Sequence, residues 1–152
     1  MKIAKYVLIL IFLIFYSCST LILKPSDFAW PVESVLKTDD QGNVIVERYS
    51  LKFNAKNLFL AEINDSTAYK NNELRVIRNS EGYYFMIGNN FKNVYVFNAD
   101  NGNLKLENKI EVSDSTGISN PAFNQRPPYI SLNYGNKNIK LTQDGIAEEE
   151  GK

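Results

Sequence analysis

Few side chains in this chain of 152 residues have the types and spacing that do chemistry. Histidine is absent and Cys18 is the only cysteine. Ser-His-Asp and Cys-His catalysis are therefore excluded by composition. A disulfide within the chain and a thiolate or imidazole metal cage are excluded as well. A carboxylate pair or a Ser–Lys dyad remains open for hydrolysis, but no spacing picks one out. Asp39-Asp40-Gln41-Gly42-Asn43 and the segment Asn98 to Asn103 carry oxygen ligands. Neither has the spacing of a calcium loop, so both read as turns, as does Asp114-Ser115-Thr116-Gly117. No phosphate-cradling glycine loop is present, and no cofactor is implied.

Binding surfaces are the other source of function. Trp30, Tyr83, Tyr84, Phe91 and Tyr95 are candidates for exposed rings that stack on sugars or bury in a partner. The segment Asn120 to Tyr129 holds Pro121, Pro127 and Pro128, and sets Arg126 near Tyr129. Proline reduces the freedom that binding would remove. The alternatives are plain core packing for the rings and a stiff crossover between sheets for the Pro-rich segment.

The elements that must position these groups read as β. Nineteen Asn favour many turns. Alternation over Ile45 to Phe53 predicts a strand with Ile45, Glu47, Tyr49, Leu51 and Phe53 on one face and Val46, Arg48, Ser50 and Lys52 on the other. Leu74 to Arg78 and Tyr83 to Gly88 flank Asn79-Ser80-Glu81-Gly82 as a hairpin. Tyr83 to Gly88 and Val94 to Phe97 are apolar on both faces, which predicts strands that are covered on both sides or line a ligand cavity. Asp100-Asn101-Gly102 is a strong turn. Leu104, Leu106, Ile110 and Val112 then alternate with charged residues. The segment Ser113 to Pro128 reads as irregular, and a last hairpin joins Tyr129 to Asn133 with Ile139 to Thr142. No stretch after the N-terminus shows useful helical periodicity. An Asn-rich pattern recurs at Asn98 to Leu106 and Asn133 to Leu141, which reads as reuse of turn chemistry. A propeller would need about four blades, for which there is no room. The fold class expected is all-β, a single small sandwich or barrel of about eight antiparallel strands.

The N-terminus sets the address. Lys2 and Lys5 precede an apolar run from Tyr6 to Tyr16, and Ser17 precedes Cys18. A basic start, an apolar stretch and a small residue before a break fit a secretory signal peptide. Phe15-Tyr16-Ser17-Cys18 resembles the lipobox of bacterial lipoproteins, with Phe15 where Leu is commonest and Tyr16 bulkier than usual. That resemblance covers only residues 1–18. It implies cleavage before Cys18 and lipid on its thiol, with palmitate-type acylation of the new amino group. Ser19, rather than Asp, after the cysteine leans the sorting towards the outer membrane of a Gram-negative cell. Two or more acyl chains make a stable anchor where one is marginal. An uncleaved anchor over residues 6–23 is the competing reading.

The organisation expected is a signal peptide over 1–17, a lipidated tether over 18–26, a β domain over 27–143 and an acidic flexible tail over 144–152. Lysine and arginine number 17, as do aspartate and glutamate, and no basic patch stands out. Nucleic acid is therefore not an expected partner. The function expected is a membrane-anchored, non-enzymatic binding or assembly module of the cell envelope, with an envelope protein or a glycan as partner. Carriage of a lipid or other apolar ligand is the alternative.

Overall fold

A computed structural model describes residues 33–100 and 103–147. Cys18, Trp30, the lipobox segment and Glu148 to Glu150 lie outside the described residues. Eleven strands and one α-helix follow in the order β1 (Ser34–Lys37), β2 (Asn43–Val46), β3 (Leu51–Asn54), α1 (Lys56–Ile63), β4 (Glu73–Arg78), β5 (Tyr84–Gly88), β6 (Asn93–Asp100), β7 (Asn103–Glu111), β8 (Ala122–Arg126), β9 (Tyr129–Tyr134), β10 (Lys137–Thr142) and β11 (Gly145–Ile146). A five-stranded sheet has the order β1-β4-β5-β6-β7, a four-stranded sheet the order β11-β10-β9-β8, and β2 and β3 pair by themselves. Every strand pairing is antiparallel. The all-β sandwich is as the sequence predicts, with more and shorter strands than eight.

The five-stranded sheet is the middle layer. Its register places Leu74, Val76, Tyr84, Met86, Tyr95 and Phe97 on one face. Ile77, Phe85, Ile87, Val94 and Val96 fall on the other, because successive side chains alternate sides. The first face is covered by the β2–β3 hairpin and α1. Tyr49 meets Tyr84 edge to face at 5.3 Å, and Phe59 of α1 meets Phe91 at 5.1 Å. Phe91 lies so close to the sheet that a Cβ on Gly88 would come within 2.6 Å of its ring. The second face packs on Phe123, Ile130, Leu132 and Leu141 of the four-stranded sheet, all buried. Strand β5, buried at all five positions, is the middle strand of the sheet, as its two-sided apolar pattern predicts.

Five local readings are corrected. The alternating run Ile45 to Phe53 is a hairpin, not one strand. A 3-10 turn over Glu47–Tyr49 ends at Ser50, whose φ is +52°. The turn reverses which residues face inward, so Val44 and Val46 are 1% exposed and Ile45 is 61% exposed. Leu58 to Ile63 is helical. Its last turn is closed by Asn64 in the left-handed region, which donates its N–H to the Leu60 carbonyl.

Leu104 and Leu106 do not share a face with Ile110. A bulge at Glu107 pairs Val96 with Asn108 and Phe97 with Leu106, which turns the two leucines towards Tyr95 and Phe97. Part of the segment Ser113 to Pro128 is regular, since Ala122–Arg126 is β8 and Pro127-Pro128, a cis peptide, makes its turn into β9. The sheet also continues past residue 143, through the pairing of Thr142 with Gly145 and of Leu141 with Ile146. The two Asn-rich repeats are both hairpins, but Asp100 pairs with Asn103 while Tyr134 pairs with Lys137, so the turn is offset by one residue between them.

Candidate functional site: an apolar groove beside a buried carboxylate

Between α1 and the outer strands of the middle sheet lies a groove of about 330 Å³. Met86, Tyr95, Phe97, Leu104 and Leu106 form its floor, and Phe53, Leu58 and Ala61 form its wall. The bulge at Glu107 is what brings Leu104 and Leu106 there. Its size is at the lower end of the range for small-ligand sites. Leu106 is 48% exposed and Leu60, on the outer side of α1, is 43% exposed. Asn57 stands on the rim, and its side-chain amide has no hydrogen-bond partner among the described residues. The Asn54 amide is already engaged, donating to the Gln41 carbonyl and to Asn43 Oδ1 and accepting from the Lys56 N–H.

Glu62, next to Ala61 of the groove wall, bonds to Tyr95 of its floor. Its side chain is 1% exposed. Tyr95 Oη donates to Oε1 at 2.7 Å, Asn93 Nδ2 donates to the same oxygen at 2.7 Å, and the Lys92 N–H donates to Oε2 at 2.8 Å. Lys109 Nζ stands 3.5 Å from Oε1 and 5.5 Å from the centre of the Tyr95 ring. Burial pushes the pKa of this carboxyl up, but the bonds from Tyr95, Lys92 and Asn93 and the charge of Lys109 outweigh it, so the pKa is lowered. The Tyr95 phenol moves the opposite way, upward, through burial and then through the carboxylate beside it. A carboxylate with both oxygens so engaged is held as an anion. It fixes α1 to the sheet and so sets the width of the groove.

The binding residues read from the sequence are scattered. Tyr95 is 5% exposed and contributes the edge of the groove floor. Tyr84, 4% exposed, and Phe91, 0%, are core rings rather than exposed platforms. Arg78 lies over Tyr84 at 5.3 Å. Tyr83 is half-buried at the Asn79–Gly82 turn, where its N–H donates to Asn79 Oδ1. Arg126 is exposed and pairs across the Pro127-Pro128 turn with half-buried Tyr129, over which Lys140 Nζ sits at 5.8 Å. Arg126 and Tyr129 are thus together, on the four-stranded sheet, apart from the groove.

Glu62, Leu104 and Leu106 were not among the residues singled out from sequence. The signal for Glu62 was one acid inside an apolar run, which fits a strand or a short helix equally. Asp39, by contrast, is spent on its turn. Its Oδ1 accepts from the Gln41 and Asn43 N–H groups and its Oδ2 from the Asn43 amide, and these bonds, the Asn43 amide foremost, lower its pKa. Among the described residues no three Asp, Glu, His or Cys side chains are grouped to hold a metal ion, and no helix is long and apolar enough to cross a membrane.

The structure defines the class as a layered β-sandwich with one short helix and an apolar surface groove. Comparison with models of protein families, with curated proteins and with solved structures finds no match.

Proposed function

We propose that this chain is a non-enzymatic binding module, held at the bacterial cell envelope by lipid on Cys18, whose groove receives apolar side chains of another envelope protein. The observation that carries this reading is the groove itself. An apolar floor beneath an amide-bearing rim matches the anatomy of protein interfaces, whose centres are apolar and whose edges are polar. Rigid placement by Glu62 favours binding to a preformed surface, with little ordering to be done on association. The lipobox resemblance supplies the envelope address, and the intact mass of membrane-extracted protein beside its Cys18→Ser variant tests that part.

The groove is tested by placing a photo-crosslinking residue at position 106 in the full chain within native membranes. The expected product is one discrete protein adduct that disappears when Ala61→Arg fills the groove. Absence of any adduct overturns the reading. An adduct of lipid mass supports the second reading, carriage of an apolar ligand. That reading is favoured by the position of Met86, Tyr95 and Phe97 on the two strands that are apolar on both faces.

A further inference from the structure

A second concavity lies elsewhere on the molecule and has opposite chemistry. It is a cleft of about 330 Å³ over the β1–β4 end of the middle sheet, beside the start of β8. We propose that it binds a sugar carrying a single carboxylate. This goes beyond the groove reading and does not depend on it.

The charges decide the first part. Three cations line the cleft, and two of them have a carboxylate partner: Lys37 Nζ lies 3.9 Å from Glu73 Oε1, and Arg75 is bonded to Glu33. Lys70, carried by the 3-10 turn Ala68–Asn71, is exposed and its ammonium has no partner among the described residues. One free ammonium suits one carboxylate. A polyphosphate or a nucleic-acid backbone needs more.

The amides decide the second part. Asn72 donates to the Ala68 carbonyl at 2.9 Å, which leaves its carbonyl oxygen free. Asn89 accepts from the Asn120 N–H at 2.9 Å, which leaves its NH₂ free. The Asn120 side-chain amide has no partner among the described residues, and the backbone there is held at a φ of +49°. Thr38 Oγ1 donates to the Tyr69 carbonyl at 2.8 Å and keeps its acceptor capacity. The free groups are therefore mostly donors with a few acceptors, the complement of hydroxyls joined to an anion. The base beneath them is firm. Glu33 bonds Arg75 through one oxygen and the Phe123 N–H through the other, so β4 and β8 are tied under the cleft.

The test is titration of the full chain, in non-ionic detergent at low salt, with glucuronate, glucose and acetate, followed by NMR of the side-chain amides. Glucuronate is expected to saturate with a Kd of about 1 mM, shifting Asn72, Asn89 and Asn120. Glucose and acetate are expected to bind at least about fivefold more weakly. Lys70→Ala should weaken glucuronate about fivefold, and Lys70→Arg should restore it. Equal binding of glucose would show that charge is not read, and equal binding of acetate that the sugar is not read. Either result overturns the proposal, as does no saturable shift or an unchanged affinity in Lys70→Ala.

Discussion

The two faces of the middle sheet are covered by different means. On one, a hairpin and a two-turn helix form a partial cover that leaves a groove. On the other, a four-stranded sheet packs over the face, with a polar cleft at one end. Each cover is tied down by one glutamate. Glu62 is 1% exposed and is satisfied mainly by neutral donors. Glu33 is 16% exposed and is bonded to a cation, Arg75, and to one backbone N–H. A short helix has little area with which to hold itself and depends on a directional tie, whereas a sheet packed through Phe123, Ile130, Leu132 and Leu141 depends mostly on apolar burial.

That contrast is open to direct measurement. The largest effects are expected in the two apolar layers. Phe59→Ala should cost about 4 kcal/mol and Leu132→Ala about 3 kcal/mol in urea unfolding, since each empties a fully buried position. A single transition in both variants shows that the covers unfold together. An early, separate transition in Phe59→Ala would show that the helix layer detaches alone.

The glutamates should differ next. Glu62→Gln puts an NH₂ against donors in a buried site and should cost about 2 kcal/mol. Glu33→Gln, more exposed, should cost about 1 kcal/mol. Equal costs would break the distinction drawn between the two ties.

Acid should sharpen it. The Glu62 carboxyl has its folded pKa below the ordinary 4.5. Its ionisation therefore contributes stability that is fully present above that value and is lost as pH falls through the folded one. The difference between the parent and Glu62→Gln should shrink as pH is lowered below 4.5. A pH-independent difference would show that the charge itself contributes nothing. The smallest stability effect is expected at the groove floor, where Leu106→Asp should stay within about 0.5 kcal/mol because the side chain is half exposed. The same variant should abolish crosslinking from a probe placed at Leu60.

Legibility in the sequence followed the range of the forces involved. The hairpin at Asn79–Gly82 was readable because Asn79 makes its own turn, accepting the Glu81 and Tyr83 N–H groups at Oδ1. The central place of β5 was readable because no polar side chain interrupts it. Helix α1 was not, since six apolar-rich residues fit a strand as well as a helix, and the Asn64 cap was a weak signal among so many asparagines. The groove was hidden for a related reason. Leu104, Leu106 and Ile110 have the same parity in sequence, and only pairing with β6 introduces the bulge that separates them.

Composition and local pattern alone settled that the described chain folds as antiparallel strands joined by Asn- and Gly-rich turns, and that histidine chemistry is unavailable to it. Those properties depend on residue identity and on contacts within a few positions. Which ring became core, which leucine lined a groove and which glutamate became a tie were decided in three dimensions. The glutamates and the core rings rest on partners about 30 to 90 residues away, such as Tyr95 for Glu62 and Phe123 for Glu33, and the groove leucines on the bulged pairing with β6. Burial and hydrogen-bond satisfaction at that separation are properties of the assembled layers, and no local spacing encodes them.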